Sequence, residues 1–138
     1  MSVSYLGDLR CQLKHGPSGA IINTDAPVDN EGKGASFSPT DLCAASLAAC
    51  TLTILGIVAR RHEIDLGRTR ADVRKIMSSD APRRIARIEI DFYIDLPADH
   101  PKRNLLENAA RACPVHFSLH PNIEQALHFW FKGEAPST

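Results

Sequence analysis

Four cysteines, at positions 11, 43, 50 and 113, carry most of the reactive chemistry this chain could offer. A thiolate can attack a peroxide, ligate a metal or exchange with a disulfide, and which it does depends on what lowers its pKa. Cys50 lies mid-way along an uncharged stretch, Leu42 to Ala59, seven residues after Cys43 and three before Thr53. A thiol in mid-helix lacks the N-terminal dipole that acidifies cysteines, and the first cation in its own segment is Arg60. A buried structural thiol therefore stands beside the functional reading. Cys113 precedes Pro114, where it can cap a new helix whose first N–H groups favour a thiolate. A small residue at a kink is the plainer account.

The remaining candidates are weaker. Cys43 shares a face with Cys50 but sits about 10 Å along the helix axis. A disulfide needs roughly 4.4–6.8 Å between α-carbons, so the two cannot bridge within one helix. Cys11, in an alternating segment, reads as core. His116 and His120 follow Cys113 at i+3 and i+7, a spacing that could gather two imidazoles and a thiol for zinc. Pro121 shortens that helix and no fourth ligand is evident. Arg10 reads as a solvated strand residue, and no Ser-His-Asp spacing, phosphate loop or glycine-rich nucleotide fingerprint is present.

The elements that must position these groups are legible. Residues 3–14 alternate, with Leu9, Cys11 and Leu13 opposite Asp8, Arg10, Gln12 and Lys14, which predicts a strand. Residues 15–19 turn the chain and 20–24 return as a second strand, while 25–36 is a loop. Ser38 can cap the next helix, Pro39 suits its first position, and Asp41 completes a capping box. Leu42, Leu47, Leu52, Ile54, Leu55, Ile57, Val58 and five alanines wrap that helix, which must then be buried on all sides and ends near His62. Its composition of Ala, Ser, Thr, Gly and Cys argues against a membrane span despite its length.

Strands are expected over 69–78 and 84–96, the second with Ile88, Ile90, Phe92, Ile94 and Leu96 on one face. A helix starting at Pro101 presents Leu105, Ala109 and Cys113 on one side and breaks at Pro114 into a short helix over 114–119. Ile123, Leu127, Phe129 and Phe131 suggest a last strand, before a polar tail from Gly133. The order β-β-α-β-β-α-α-β makes an α+β fold in one domain, 1–138. So small a chain cannot wrap its apolar helix alone, which predicts an intimate homodimer.

The totals narrow the function. Sixteen basic and sixteen acidic residues balance and aromatic residues make up only 6%. Neither a field for nucleic acid or an anionic membrane nor a base-stacking platform is provided. The N-terminus has no apolar targeting segment, so the cytoplasm is the expected compartment, where thiols stay reduced.

The segment GKGASFSPTDLCAASLAACTLTILGIVARRHEIDL, joined to the later ACPVHFSLHP, resembles the OsmC/Ohr family, the osmotically inducible and organic hydroperoxide resistance proteins. The resemblance implies an intertwined dimer whose central helices are enclosed by antiparallel sheets, with active sites at the subunit interface. It implies a thiol peroxidase in which Cys50 is the peroxidatic and Cys113 the resolving cysteine. Arg10 is then the guanidinium that holds the thiolate. The family's Glu, ten residues before the reactive cysteine, is replaced here by Thr40, with Asp41 beside it as the candidate carboxylate. The expected partners are a small hydroperoxide and an external dithiol reductant, with no bound cofactor or metal. The alternative is a small-molecule-binding protein on the same dimer, without turnover.

Overall fold

The structure, a computed structural model, describes residues 1–134. It divides into two compact units, one of residues 1–43 and one beginning at Ala44.

The first unit is built on an antiparallel sheet of β1 (Ser2–Gly7), β2 (Arg10–Lys14) and β3 (Ile21–Asp25), in that order. The segment expected as one strand is thus a hairpin. Asp8 and Leu9 both take positive φ, 50° and 60°, the conformation of a two-residue turn whose twist matches its strands. The pair lacks the Asn-Gly or Asp-Gly signature of such turns, and the alternation continues past it, so the break left no mark on the pattern. After β3 the chain loops out and returns, its ends pinned where Asp25 N–H donates to Phe37 O at 3.1 Å. Gly32 is required inside this loop, because a Cβ there would fall 1.7 Å from Ala26 O.

Helix α1 runs Pro39–Arg61 and starts as the capping box predicts. Asp41 Oδ2 accepts from Ser38 N–H at 2.7 Å, and Asp41 N–H donates to Ser38 Oγ at 3.1 Å. Beyond its last turn, Glu63 adopts a left-handed φ of 54° and Ile64 N–H reaches back to Ala59 O at 2.9 Å. The helix is long and apolar enough to cross a membrane by length and composition, a test that core helices of soluble proteins also meet.

Burial of α1 within one chain is partial. Within this chain it buries a single stripe, Ala44, Leu47, Ala48, Thr51, Leu55 and Ala59. Ser46, Ala49, Thr53 and Gly56 remain exposed. Those positions recur at i, i+3, i+7 and i+10 and form a second face of small residues.

The second unit packs on a sheet ordered β4 (Arg70–Met77), β5 (Ile85–Pro97), β6 (Glu124–Lys132). Strands β4 and β5 pair antiparallel, but β5 and β6 run parallel, so this sheet is mixed rather than wholly antiparallel. The connection through residues 98–123 is long enough to carry the chain back to the starting edge, as parallel pairing requires. The period-2 pattern of β5 is realised as read. Ile88, Ile90, Phe92, Ile94 and Leu96 are buried, and Phe92 stacks on Phe129 of β6 at 5.0 Å between ring centres.

Helix α2 (Arg103–Ala110) buries Leu106 and Ala110, whereas Leu105 is exposed. The expected face, Leu105 and Ala109, is therefore off by one residue, about 100° of rotation. Adjacent leucines offered two registers, and the sheet selected the second. Helix α3 (Pro114–Ser118) follows, with Cys113 as its N-cap.

Candidate active site

Cys50 and Cys113 meet in the second unit. Thr51 faces the core from the buried stripe of α1, and the neighbouring Cys50 is half-buried. Cys113 is wholly buried and capped into place, its Sγ accepting from His116 N–H at 3.3 Å. Thr51 Oγ1 donates to the same sulfur at 3.7 Å. The Cys50 thiol is near enough to Cys113 and to the Val115 backbone N–H for both to influence its ionisation. Two reduced thiols, both free, are thus brought together across 63 positions of sequence.

Their surroundings set the chemistry. Burial pushes the Cys50 thiol above its usual pKa, the Val115 N–H pulls it back, and the Cys113 sulfur raises it further. Among the described residues, no cation figures among the groups that set it. As it stands, the pair can form a disulfide on oxidation, but Cys50 needs a positive charge to be a thiolate near neutral pH.

The histidines serve other ends. Gln125 Nε2 donates to the His116 carbonyl at 3.1 Å, which turns Gln125 Oε1 toward His116 Nδ1 at 2.7 Å. His116 therefore donates from Nδ1 and braces α3 against β6. His120 Nδ1 accepts from Asn122 N–H at 3.1 Å. Among the described residues no group of three or more His, Cys, Asp or Glu side chains is placed to hold a metal ion, so the zinc reading finds no geometry.

In the first unit Arg10 pairs with Asp25. Their positions are directly opposite across β2 and β3, and Arg10 Nε stands 3.7 Å from Asp25 Oδ1. Asp25 is 1% exposed, while the Arg10 side chain keeps 40% exposure. The Ala35 N–H, donating to Asp25 Oδ2 at 2.9 Å, holds this carboxyl below the usual range against the opposing effect of burial, and Arg10 adds to it. Asp41 is engaged at the start of α1, where Ser38 Oγ also donates to its Oδ2 at 2.7 Å.

Cys11 and Cys43 both line an apolar cavity of about 410 Å³ with Val3, Leu13, Thr24, Pro39 and Leu42. Cys11 is therefore half-exposed at a cavity wall rather than sealed in core. Sequence reasoning missed Thr51, Val115 and Asp25. Thr51 was visible only as the neighbour of Cys50. Asp25 read as the first loop residue, and its opposition to Arg10 depends on a strand register that no local pattern states.

Residues 32–127 match the family of OsmC-like proteins. A Psychrobacter arcticus 273-4 protein, named for osmotic stress induction and detoxification response, is 48% identical over 93% of each chain, with a TM-score of 0.87. The organic hydroperoxide resistance protein OsmC of Legionella pneumophila superposes at 17% identity with a TM-score of 0.73, over 93% of this chain and 94% of its own. A Vibrio cholerae protein named for organic hydroperoxide resistance, with captopril in one of its active sites, is 19% identical. Its TM-score is 0.72 over 93% of this chain and 89% of that one. These last two likenesses show the shared fold. No curated protein matches. With the family pattern spanning most of its length and a relative of nearly half-identical sequence, the chain belongs to the OsmC-like protein family.

Proposed function

We propose that this protein is a thiol-dependent peroxidase that reduces organic hydroperoxides through Cys50 and Cys113. The observation that carries the reading is the meeting of these two thiols, with Thr51 and the His116 N–H both donating to the Cys113 sulfur. Relatives of the same fold named for organic hydroperoxide resistance support the choice of reaction.

The chemistry balances without a bound cofactor. The Cys50 thiolate attacks one oxygen of the O–O bond, which breaks; Cys50 is oxidised to a sulfenic acid and the other oxygen leaves, once protonated, as an alcohol. The Cys113 thiol then displaces water from the sulfenic acid, forming the Cys50–Cys113 disulfide. A dithiol reductant restores both thiols by exchange and is itself oxidised to a disulfide. Arg10 is the residue to which the family resemblance assigns the cation that this thiolate needs. The working form is a homodimer, supported by the apolar α1 whose small-residue face this chain leaves uncovered.

Peroxide consumption by wild type and Cys50→Ser tests the reading. Turnover confined to wild type is expected, and equal consumption by both would end it.

The raised thiol of Cys50 favours a second reading, a small-molecule binder on the same fold without turnover. Ultraviolet titration of the thiolate separates the two. A peroxidase requires Cys50 to ionise well below the ordinary thiol value of about 8.5, and a binder does not.

A further inference from the structure

We propose that Asp25 is the positioning carboxylate of Arg10, holding its guanidinium in the role that the family resemblance would give to Asp41. The inference rests on the reading of Arg10 as the cation of a Cys50 peroxidase.

Three observations carry it. First, Arg10 and Asp25 are a register pair on adjacent strands, so the backbone itself sets their approach. Second, the carboxylate is fixed from behind. Its Oδ2 takes the Ala35 N–H at 2.9 Å, and the Asp25 backbone N–H is bonded to Phe37 O. Its Oδ1 is buried with no hydrogen-bond donor and faces Arg10 Nε at 3.7 Å. A buried carboxylate oxygen without a donor is costly unless a cation stands by it, which ties Arg10 to this spot. Third, the Asp41 carboxylate is engaged at the start of α1, taking both the N–H and the hydroxyl of Ser38.

The pair is built for a second anion. Arg10 meets Asp25 through Nε, and a guanidinium has two further amino groups with which to hold another charge. Arg10 and Asp25 line a cavity of about 350 Å³ together with Leu6, Asn23 and Ser36, and the Arg10 side chain is 40% exposed. The Ala35 N–H, and after it Arg10, favour the charged form of Asp25 against the opposing effect of burial.

The test is the rate of Cys50 alkylation by iodoacetamide at pH 7, read by peptide mass spectrometry, in Asp25→Asn, Arg10→Gln and the double variant. Asparagine keeps the shape and can still accept from Ala35. Losing a negative charge would by itself favour the thiolate and speed alkylation. Losing the position of Arg10 slows it, by about tenfold for each unit the thiol rises. The expected result is a roughly tenfold slowing in both single variants, with the double variant no slower than Arg10→Gln.

Faster or unchanged alkylation in Asp25→Asn, with Arg10→Gln still slow, overturns the role of Asp25 and leaves the Arg10 reading intact. An equal further slowing in the Arg10→Gln background marks a merely structural residue and also overturns it. No change in Arg10→Gln defeats both readings. Should Asp25→Asn fail to fold, the Arg10 Nε resonance of the wild-type protein decides. It shifts as Asp25 titrates below its ordinary 3.8 if the pair is real, and it stays constant if not.

Discussion

Thr51 donates its hydroxyl to the sulfur of Cys113 across 3.7 Å of fully buried core, joining α1 to the cap of α3. The residue beside the proposed peroxidatic cysteine thus holds the proposed resolving one. Thr51→Val keeps the volume and removes the bond, so stability should fall by about 1 kcal/mol in urea unfolding. The disulfide should also form more slowly, with the sulfenic acid of Cys50 trapped by dimedone in larger yield than in wild type. Unchanged trapping would assign Thr51 to packing alone.

Cys113→Ser separates resolution from attack. Cys50 should still react with the first equivalent of hydroperoxide, but its sulfenic acid has no thiol to condense with and climbs to sulfinic acid with excess peroxide. Intact-mass spectrometry should show two added oxygens on Cys113→Ser and a loss of two hydrogens on wild type.

Gly56 tests the dimer with one methyl group. It lies inside α1, and a Cβ there meets nothing within 4 Å in this chain. If that face stays open, Gly56→Ala gains about 1 kcal/mol of helix propensity and raises Tm. If a second helix packs closely on Ser46, Ala49, Thr53 and Gly56, the methyl intrudes. The dimer reading expects a lower Tm and weaker association by sedimentation equilibrium. A higher Tm at unchanged mass contradicts it.

Acid should destabilise the fold through carboxylates that are more acidic folded than free. The Ala35 N–H and Arg10 lower Asp25, the Arg68 N–H and Lys132 lower Asp95, and Arg103 and the Phe131 N–H lower Glu134. Each favours the folded state while ionised, so its contribution is present above its ordinary value, 3.8 for the aspartates and 4.5 for the glutamate. It is lost as pH falls through the depressed folded value. Urea midpoints should hold from pH 7 to about 5 and drop below about 4, less steeply in Asp95→Asn.

Local chemistry made much of this legible. The Ser38–Asp41 capping box, the β5 alternation and Cys113 as a helix cap are all written within a few residues of sequence, and the structure holds each of them. What escaped depends on distant partners. The Asp8–Leu9 turn interrupts no pattern, because alternation runs through a two-residue turn as it runs along a strand. Leu105 and Leu106 are equivalent until the sheet chooses between them. Asp25 becomes a partner of Arg10 only through the register of β2 on β3. Which stripe of α1 is buried within this chain is likewise not stated by a pattern that is apolar all round.

The most direct measurement is peptide mass spectrometry of the protein after one equivalent of cumene hydroperoxide. The account predicts a disulfide-linked peptide joining Cys50 to Cys113, formed in step with loss of the peroxide and removed by a dithiol. Peroxide left unconsumed with both thiols still alkylatable, or a disulfide formed only through Cys11 or Cys43, would contradict it.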